Sequence, residues 1–283
     1  MKIFIPLYFC IALFSGCSSV FYYPDRYLYI TPEKAGVTGE DIWFTSKDGT
    51  KLNAWATTSP EINPDQGVVV QFHGNAQNLS SHFANLAWLT KYGYRLFTFD
   101  YRGYGKSEGK ANPQGLIDDG IAALDYAWKN YFLPLREKNK KARFIIFGQS
   151  LGGVVAAQAI SRWEQRNNVT LLVLEGTFSS YRKLAFNKLA SHWLTWIFSP
   201  IAWAIVHEST ASRYVLPDMN YVPVLLIHGT ADHIIPIAFG KDIYQMLPEG
   251  KKDFWPVEGA DHLETYHHSP EYKEKLVAFI QKL

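Results

Sequence analysis

Residues 144–153 read F-I-I-F-G-Q-S-L-G-G and are the most informative part of this sequence about its fold. An apolar run ends abruptly at Gly148, and small apolar residues follow from Val154. A G-x-S-x-G pattern between strand and helix is typical of a sharp turn that exposes a serine, because the residues two positions either side must lack bulk. The serine, Ser150, then lies at the positive end of a helix dipole. The alternative is an ordinary strand–loop–helix connection with glycines for tightness.

The composition is that of a globular protein, with 283 residues, 47% hydrophobic and 19% charged. That length suits one large α/β domain or two small ones. The net charge of +2 gives no case for a nucleic-acid partner.

The first residues read as a targeting segment rather than as part of the fold. Lys2 precedes the apolar run Ile3 to Phe14, and small residues lead to Cys17, which predicts a signal peptide over residues 1–16. Residues 13–19, L-F-S-G-C-S-S, resemble a bacterial lipobox, in which the cysteine is acylated after cleavage. The alternatives are a plain signal peptide or an uncleaved anchor.

The resemblance to a lipobox implies membrane attachment through lipidated Cys17, followed by a tether over residues 17–39. Two or three acyl chains anchor a protein firmly, whereas one binds only marginally. Ser18 stands where an aspartate favours inner-membrane retention in lipoproteins, so the outer membrane, on its periplasmic face, is the expected location. Cys10 is the only other cysteine, so the mature chain can form no internal disulfide.

Strands alternate with helices from residue 40 to residue 283. This alternation predicts an α/β, doubly wound, mostly parallel sheet with helices on both faces. A hairpin with a turn at Asp48-Gly49 comes first. The strands that follow are predicted over Gly67–Phe72, Tyr94–Asp100, Ala142–Phe147, Val169–Leu174, Val222–Ile227 and Lys252–Pro256, and the helices over Leu79–Tyr92, Pro113–Tyr131, Ser150–Gln165, Pro236–Leu247 and Ser269–Leu283.

One interval breaks this rhythm. About 45 residues separate Gly176 from Tyr221, far more than a simple crossover needs. The interval is rich in Trp and Phe, and it predicts a helical cap over about residues 177–221.

A serine nucleophile needs a base, an orienting acid and donors for the oxyanion. Asp232 follows a predicted buried strand, and His262 follows the last strand, so both belong to the edge where Ser150 lies. Two other interpretations stay open: Asp232 caps the following helix, and His262 is an ordinary surface residue. Glu175 is a rival acid, because it ends the strand after the nucleophile helix. The expected oxyanion donors are the backbone N–H groups of Leu151 and Asn75.

Together these segments resemble the α/β-hydrolase superfamily over roughly residues 42–283, and most closely its abhydrolase-domain and serine aminopeptidase-like branch. The motifs are H-G-N-A at 73–76, D-Y-R-G-Y-G-K-S at 100–107, G-Q-S-L-G-G at 148–153, G-T-A-D at 229–232 and G-A-D-H at 259–262. The resemblance implies a Ser150–Asp232–His262 triad, ester or amide hydrolysis, and no cofactor. No metal site is expected, because His267 and His268 lack a third ligand at suitable spacing.

The aromatic cap and the lipid anchor favour a lipophilic acyl ester, such as a lysophospholipid or an acylglycerol, as substrate. A peptidase or an acyltransferase using the same triad is the enzymatic alternative, since the fold does not separate these activities. An envelope lipoprotein that keeps the fold as a binding module is the non-enzymatic one.

Overall fold

The computed structural model describes residues 22–191 and 193–283. Its centre is an eight-stranded sheet in the order β10-β9-β8-β7-β4-β6-β3-β2. The strands of this sheet are β2 (Thr38–Thr45), β3 (Lys51–Thr58), β4 (Gly67–Phe72), β6 (Tyr94–Phe99), β7 (Arg143–Gln149), β8 (Leu171–Glu175), β9 (Val224–Gly229) and β10 (Lys252–Val257). The predicted signal peptide and Cys17 lie outside the described residues.

The sheet is mostly parallel, as predicted. From β6 to β10 all neighbours run parallel, and only the hairpin β2–β3 and the β3–β6 pair are antiparallel. Every residue of β4 is buried, which suits a central strand covered on both faces. The carboxyl ends of β4, β7, β8, β9 and β10 therefore lie along one edge, called here the catalytic edge.

Helices cover both faces of the sheet, so the fold is doubly wound. They are α1 (Leu79–His82), α2 (Pro113–Ala127), α3 (Leu133–Lys138), α4 (Leu151–Arg162), α5 (Tyr181–Ala190), α6 (Ile201–Ile205), α7 (Ala238–Met246), α8 (Thr265–His268) and α9 (Glu271–Gln281). Apolar residues of α2, α4 and α7 pack on one face with Val68 and Val70. Those of α1 and α9 pack on the other with Val69.

Two helix predictions were wrong in detail. The predicted helix Leu79–Tyr92 is a single turn, α1, followed by 3-10 segments at Phe83–Asn85 and Ala87–Tyr92. Side chains there bind main-chain carbonyls: Trp88 donates to Asn85 and Thr90 donates to Ala87, which competes with regular helix. The predicted helix Pro113–Tyr131 is regular only to Ala127, where a π-helical turn at Trp128–Phe132 leads into α3, so the helical region runs beyond Tyr131.

The long interval after β8 folds into short helices. It contains α5, α6 and three 3-10 turns, at Trp196–Phe198, Ser212–Tyr214 and Leu216–Asp218. Helix α5 packs against α6 and against the first of these turns. Among the described residues, no helix combines the length and the apolar character needed to cross a bilayer.

The first described residues lie against the catalytic edge. The side chain of Tyr22 is buried, and strand β1 (Tyr23–Pro24) pairs in parallel with β5 (Ala76–Gln77), in the loop after β4. The backbone carbonyl of Asp25 accepts a hydrogen bond from the backbone N–H of Gly105 at 2.8 Å. This segment thus holds the two loops that follow β4 and β6.

Candidate active site

Ser150 lies at the turn between β7 and α4 with a strained backbone. Its φ is 54° and its ψ is −122°, a conformation that L-residues rarely adopt. The flanking glycines are required by close packing. A Cβ on Gly148 would lie 2.6 Å from the Cα of Gly153, and a Cβ on Gly152 would lie 2.0 Å from the carbonyl oxygen of Phe72. The turn therefore cannot accept side chains at these two positions.

Neighbouring strands fix the serine in this conformation. The backbone N–H of Ser150 donates to the carbonyl of Glu175 at 2.9 Å, and the hydroxyl of Thr177 donates to the carbonyl of Ser150 at 2.6 Å. Ser150 is only 8% exposed. Sequence reasoning missed Thr177, although its place directly after β8 marks it as a residue of the catalytic edge.

Asp232 and His262 meet across the ends of β9 and β10. The Oδ2 atom of Asp232 lies 2.7 Å from the Nδ1 atom of His262. The other carboxylate oxygen, Oδ1, accepts the backbone N–H groups of Ile234 and Ile235. Burial raises the pKa of Asp232, but hydrogen bonds from His228 and His262 outweigh it and hold the pKa well below its ordinary range. The aspartate is therefore anionic beside the imidazole.

Two glycines show how closely His262 and the loop after β4 approach the turn at Ser150. We call residues 73–76 the oxyanion loop, because the expected donor Asn75 lies there. A Cβ on Gly176, the residue after Glu175, would lie 3.3 Å from the Nδ1 atom of His262. A Cβ on Gly74 would lie 3.6 Å from the Cβ of Ser150. The loops after β4, β7, β8 and β10 thus meet around one serine, as expected for the carboxyl ends of adjacent parallel strands.

Glu175, the rival acid, has a different environment. Its Oε2 atom accepts a hydrogen bond from Gln149 at 2.8 Å, and Gln149 in turn accepts one from Gln71. Burial raises the pKa of Glu175. Gln149 and Thr265 act in the opposite direction, but the effect of burial is larger. This carboxyl group is a buried anchor of the β7–β8 pair, whereas Asp232 is the acid in contact with the histidine.

The oxyanion loop is fastened by tyrosines of the D-Y-R-G-Y-G-K-S segment. The hydroxyl of Tyr101 donates to the carbonyl of His73 at 3.2 Å, and the hydroxyl of Tyr104 donates to the Oδ1 atom of Asn75 at 3.0 Å. The backbone N–H of Tyr23 also donates to this Oδ1. The sequence alone assigns no chemical role to these tyrosines. Their hydrogen-bond partners lie in a loop that is distant in the sequence, so only the structure reveals them.

Several other histidines have structural partners. The Nδ1 atom of His73 lies 2.8 Å from the carbonyl oxygen of Gly74, His228 contacts the carbonyl of Ile235, and His233 pairs with Asp261. His82 stacks on His73, with ring centroids 5.2 Å apart. Burial and the neighbouring His73 lower the pKa of His82 to about 4.

Arg102 binds acidic side chains. Its guanidinium contacts Asp119 and Asp48, each at 2.8 Å. It joins the β2–β3 turn to α2. Within residues 22–191 and 193–283, no cluster of three His, Cys, Asp or Glu side chains is suited to a metal ion.

A parallel sheet with a strained serine after β7, and an aspartate–histidine pair after β9 and β10, defines an α/β-hydrolase. The family model of serine aminopeptidase, S33, matches residues 63–222, more than half of the chain. The chain therefore belongs to this family of α/β-hydrolases.

Curated relatives extend the similarity over nearly the whole chain. The uncharacterised protein YfhR of Salmonella typhi is 33% identical over 276 residues, covering 93% of this chain and 87% of its own. The α/β-hydrolase domain-containing protein WAV2 of Arabidopsis thaliana is 31% identical, covering 76% of this chain and 68% of its own. Among solved structures, the Pyrococcus furiosus esterase Pf2001 has a TM-score of 0.71 at 22% identity, covering 93% and 97% of the two chains.

Proposed function

We propose that this chain is a membrane-anchored serine hydrolase that cleaves carboxylic esters through Ser150, His262 and Asp232. The observation that carries the proposal is the 2.7 Å contact between Asp232 and His262 at the edge that holds the strained Ser150. A buried anionic aspartate fixes the tautomer of an imidazole and stabilises its cation. The proposed mechanism requires the other nitrogen of the ring, Nε2, to accept the proton of the Ser150 hydroxyl.

In the proposed reaction, the Ser150 hydroxyl attacks the acyl carbonyl while His262 takes its proton. The backbone N–H groups of Leu151 and Asn75 receive the oxyanion of the tetrahedral intermediate. Leu151 opens α4 directly after Ser150, and Asn75 follows Gly74, which lies against the serine. Each such donor contributes about 3 kcal/mol to transition-state stabilisation.

Collapse of the intermediate expels the alcohol, which takes the proton from His262, and leaves an acyl-enzyme on Ser150. Water attacks the acyl carbonyl with His262 as general base, and the carboxylic acid leaves with regeneration of the serine hydroxyl. The chemistry needs no cofactor.

The proposed substrate is a lipophilic acyl ester, such as a lysophospholipid or an acylglycerol. Support comes from the apolar side chains of the inserted cap and from the lipobox-like residues 13–19. Acylation of Cys17 would hold the enzyme on the outer membrane, facing the periplasm. Hydrolysis of p-nitrophenyl octanoate at least as efficient as that of the acetate is expected, and a sharp preference for acetate would contradict a lipid substrate.

Peptide hydrolysis is the second candidate, because the matching family model is that of a serine aminopeptidase. Structural neighbours such as Pf2001 are esterases, and that activity is a property of those proteins. Both activities transfer an acyl group to water, and the same triad serves either. Parallel assays with aminoacyl p-nitroanilides and p-nitrophenyl esters separate them.

Labelling with a fluorescent fluorophosphonate tests the nucleophile. Wild-type protein is expected to label, Ser150→Ala to label not at all, and its kcat to fall by about 10⁶-fold. Ser209→Ala is a matched control, because the Ser209 hydroxyl lies 2.6 Å from the Nε2 atom of His207 on the exposed cap, outside any strand–helix turn. Labelling that survives Ser150→Ala would contradict the proposal, and absence of labelling in the wild type favours a binding lipoprotein.

A further inference from the structure

The inserted segment exposes large apolar side chains that the proposed mechanism does not use. We define the cap face as Trp193, Trp196, Ile197, Phe198, Trp203 and Ile205. Each is at least 46% exposed, and Trp193 and Trp196 reach 77% and 59%. Residues 191–206 contain no Asp, Glu, Lys or Arg. Monomeric soluble proteins rarely expose so many large apolar side chains in one place.

The composition of the cap face matches a lipid interface. Tryptophan is enriched at membrane–water boundaries, because its ring is apolar and its indole N–H can still reach water or headgroups. The adjoining helix α5 carries Arg182, Lys183 and Lys188 and no acidic residue, and cations near a membrane surface favour anionic lipid headgroups. Lys183 also pairs with Asp242 at 2.8 Å, and Lys188 donates to the carbonyl of His233.

The position of the amino terminus points to the same surface. The described chain begins at Tyr22, whose buried phenol lies close enough to that of Tyr181, the first residue of α5, for the two groups to interact. The preceding residues contain the apolar run Ile3 to Phe14 and Cys17, so only Ser18 to Phe21 separate the predicted anchor from a residue in contact with the cap. A tether of four residues reaches at most about 14 Å. Any membrane attachment at Cys17 therefore places the cap close to the bilayer.

We infer that the cap face binds the surface of the bilayer, so that the catalytic edge beneath the cap opens toward the membrane. This inference rests on the membrane attachment in the proposed function and is independent of its chemistry. Burial of Trp and Ile side chains in the headgroup region supplies a second contact beside the acyl chains.

The test uses the full-length protein in phosphatidylethanolamine–phosphatidylglycerol vesicles with a Cys10→Ser background. An environment-sensitive fluorophore is attached at Trp193→Cys or, as control, at Lys140→Cys, an exposed position near the start of β7 at the opposite edge. Protein without an introduced cysteine gives the background. Nitroxide-labelled lipid is expected to quench the label at position 193 at least about threefold more than the label at 140.

Equal quenching at both positions, with equal access to aqueous iodide, would overturn the inference. Pyrene excimer emission from position 193 without lipid quenching would also overturn it, since a second copy of the chain then covers the face. Retention of the protein in carbonate-washed membranes is measured alongside. Loss of retention indicates failure of the proposed attachment, whereas retention without quenching indicates failure of the cap-face inference alone.

A second variant keeps the inference testable if Trp193→Cys folds poorly. Trp196→Ser/Ile197→Ser removes two exposed side chains of the cap face. The ratio of its kcat/KM on a vesicle-borne ester to its kcat/KM on p-nitrophenyl acetate is expected to fall about tenfold below the wild-type ratio. An unchanged ratio contradicts bilayer binding by these side chains.

Discussion

The catalytic edge and the inserted segment after β8, the cap, differ in their side chains and in how these are packed. At the edge, glycines without room for a Cβ bring backbone segments into contact, and buried carboxyl groups are hydrogen-bonded. On the cap, large apolar side chains face outward on short helical turns. The strand ends at the catalytic edge are thus fixed by close backbone packing, whereas the large side chains of the cap face remain available for contact with another surface.

The largest effect that separates these regions is expected from the catalytic acid. Asp232→Asn removes the anion that holds His262, so kcat should fall by about 10⁴-fold. Glu175→Gln is the matched control: because burial favours the protonated form of Glu175, the neutral amide should reduce kcat by less than about tenfold. Steady-state kinetics on p-nitrophenyl butyrate measure both, and a reversed order would assign the acid to Glu175.

Packing at the edge is expected to give the next effect. Gly152→Ala introduces a Cβ 2.0 Å from the carbonyl oxygen of Phe72, so backbone must shift and the free energy of unfolding should fall by about 4 kcal/mol. Gly49→Ala lies in the β2–β3 turn with no neighbour within 4 Å and should lose only about 1 kcal/mol, from its positive φ. Urea denaturation measures the free energy of unfolding of both variants. Equal losses of stability would show that the turn at Ser150 can accommodate a Cβ at position 152.

The pH dependence of stability tests the burial of His82 beside the oxyanion loop. Its folded pKa of about 4 lies below its ordinary value of 6.5, so the folded state binds fewer protons than the unfolded state between these values. Stability is therefore lost as pH falls from about 6.5 to 4, by about 3 kcal/mol in total. Urea unfolding at pH 7 and pH 4 should show a smaller loss for His82→Gln. An equal loss of stability between pH 7 and pH 4 in the wild type and in His82→Gln would mean that His82 is hydrated in the folded state.

The smallest effect is expected on the cap face. Trp196→Ala should change the free energy of unfolding in detergent-free buffer by less than about 0.5 kcal/mol, because the ring is mostly exposed. Trp128→Ala is the matched comparison, since that ring is buried against Phe144 and Trp163 and its loss should cost about 3–5 kcal/mol. A large effect at Trp196 would place it in a core.

The predictions from sequence succeeded where a sequence pattern is compatible with only one kind of structure. Continuous apolar runs in alternation with helices allow little besides a covered parallel sheet, and the positions of Ser150, Asp232 and His262 after their strands follow from that sheet. They failed between residues 79 and 92, where Trp88 and Thr90 bond to nearby carbonyls. Propensity alone does not describe this competition.

Local periodicity and loop position were enough to predict the succession of strands and helices, the strained turn at Ser150, and the candidate acid and base. Which carboxylate contacts His262, which loops Tyr101 and Tyr104 join, and that Tyr22 lies against the cap follow only from the folded structure. These facts join residues far apart in the chain, and only the packing of the whole sheet brings such residues together.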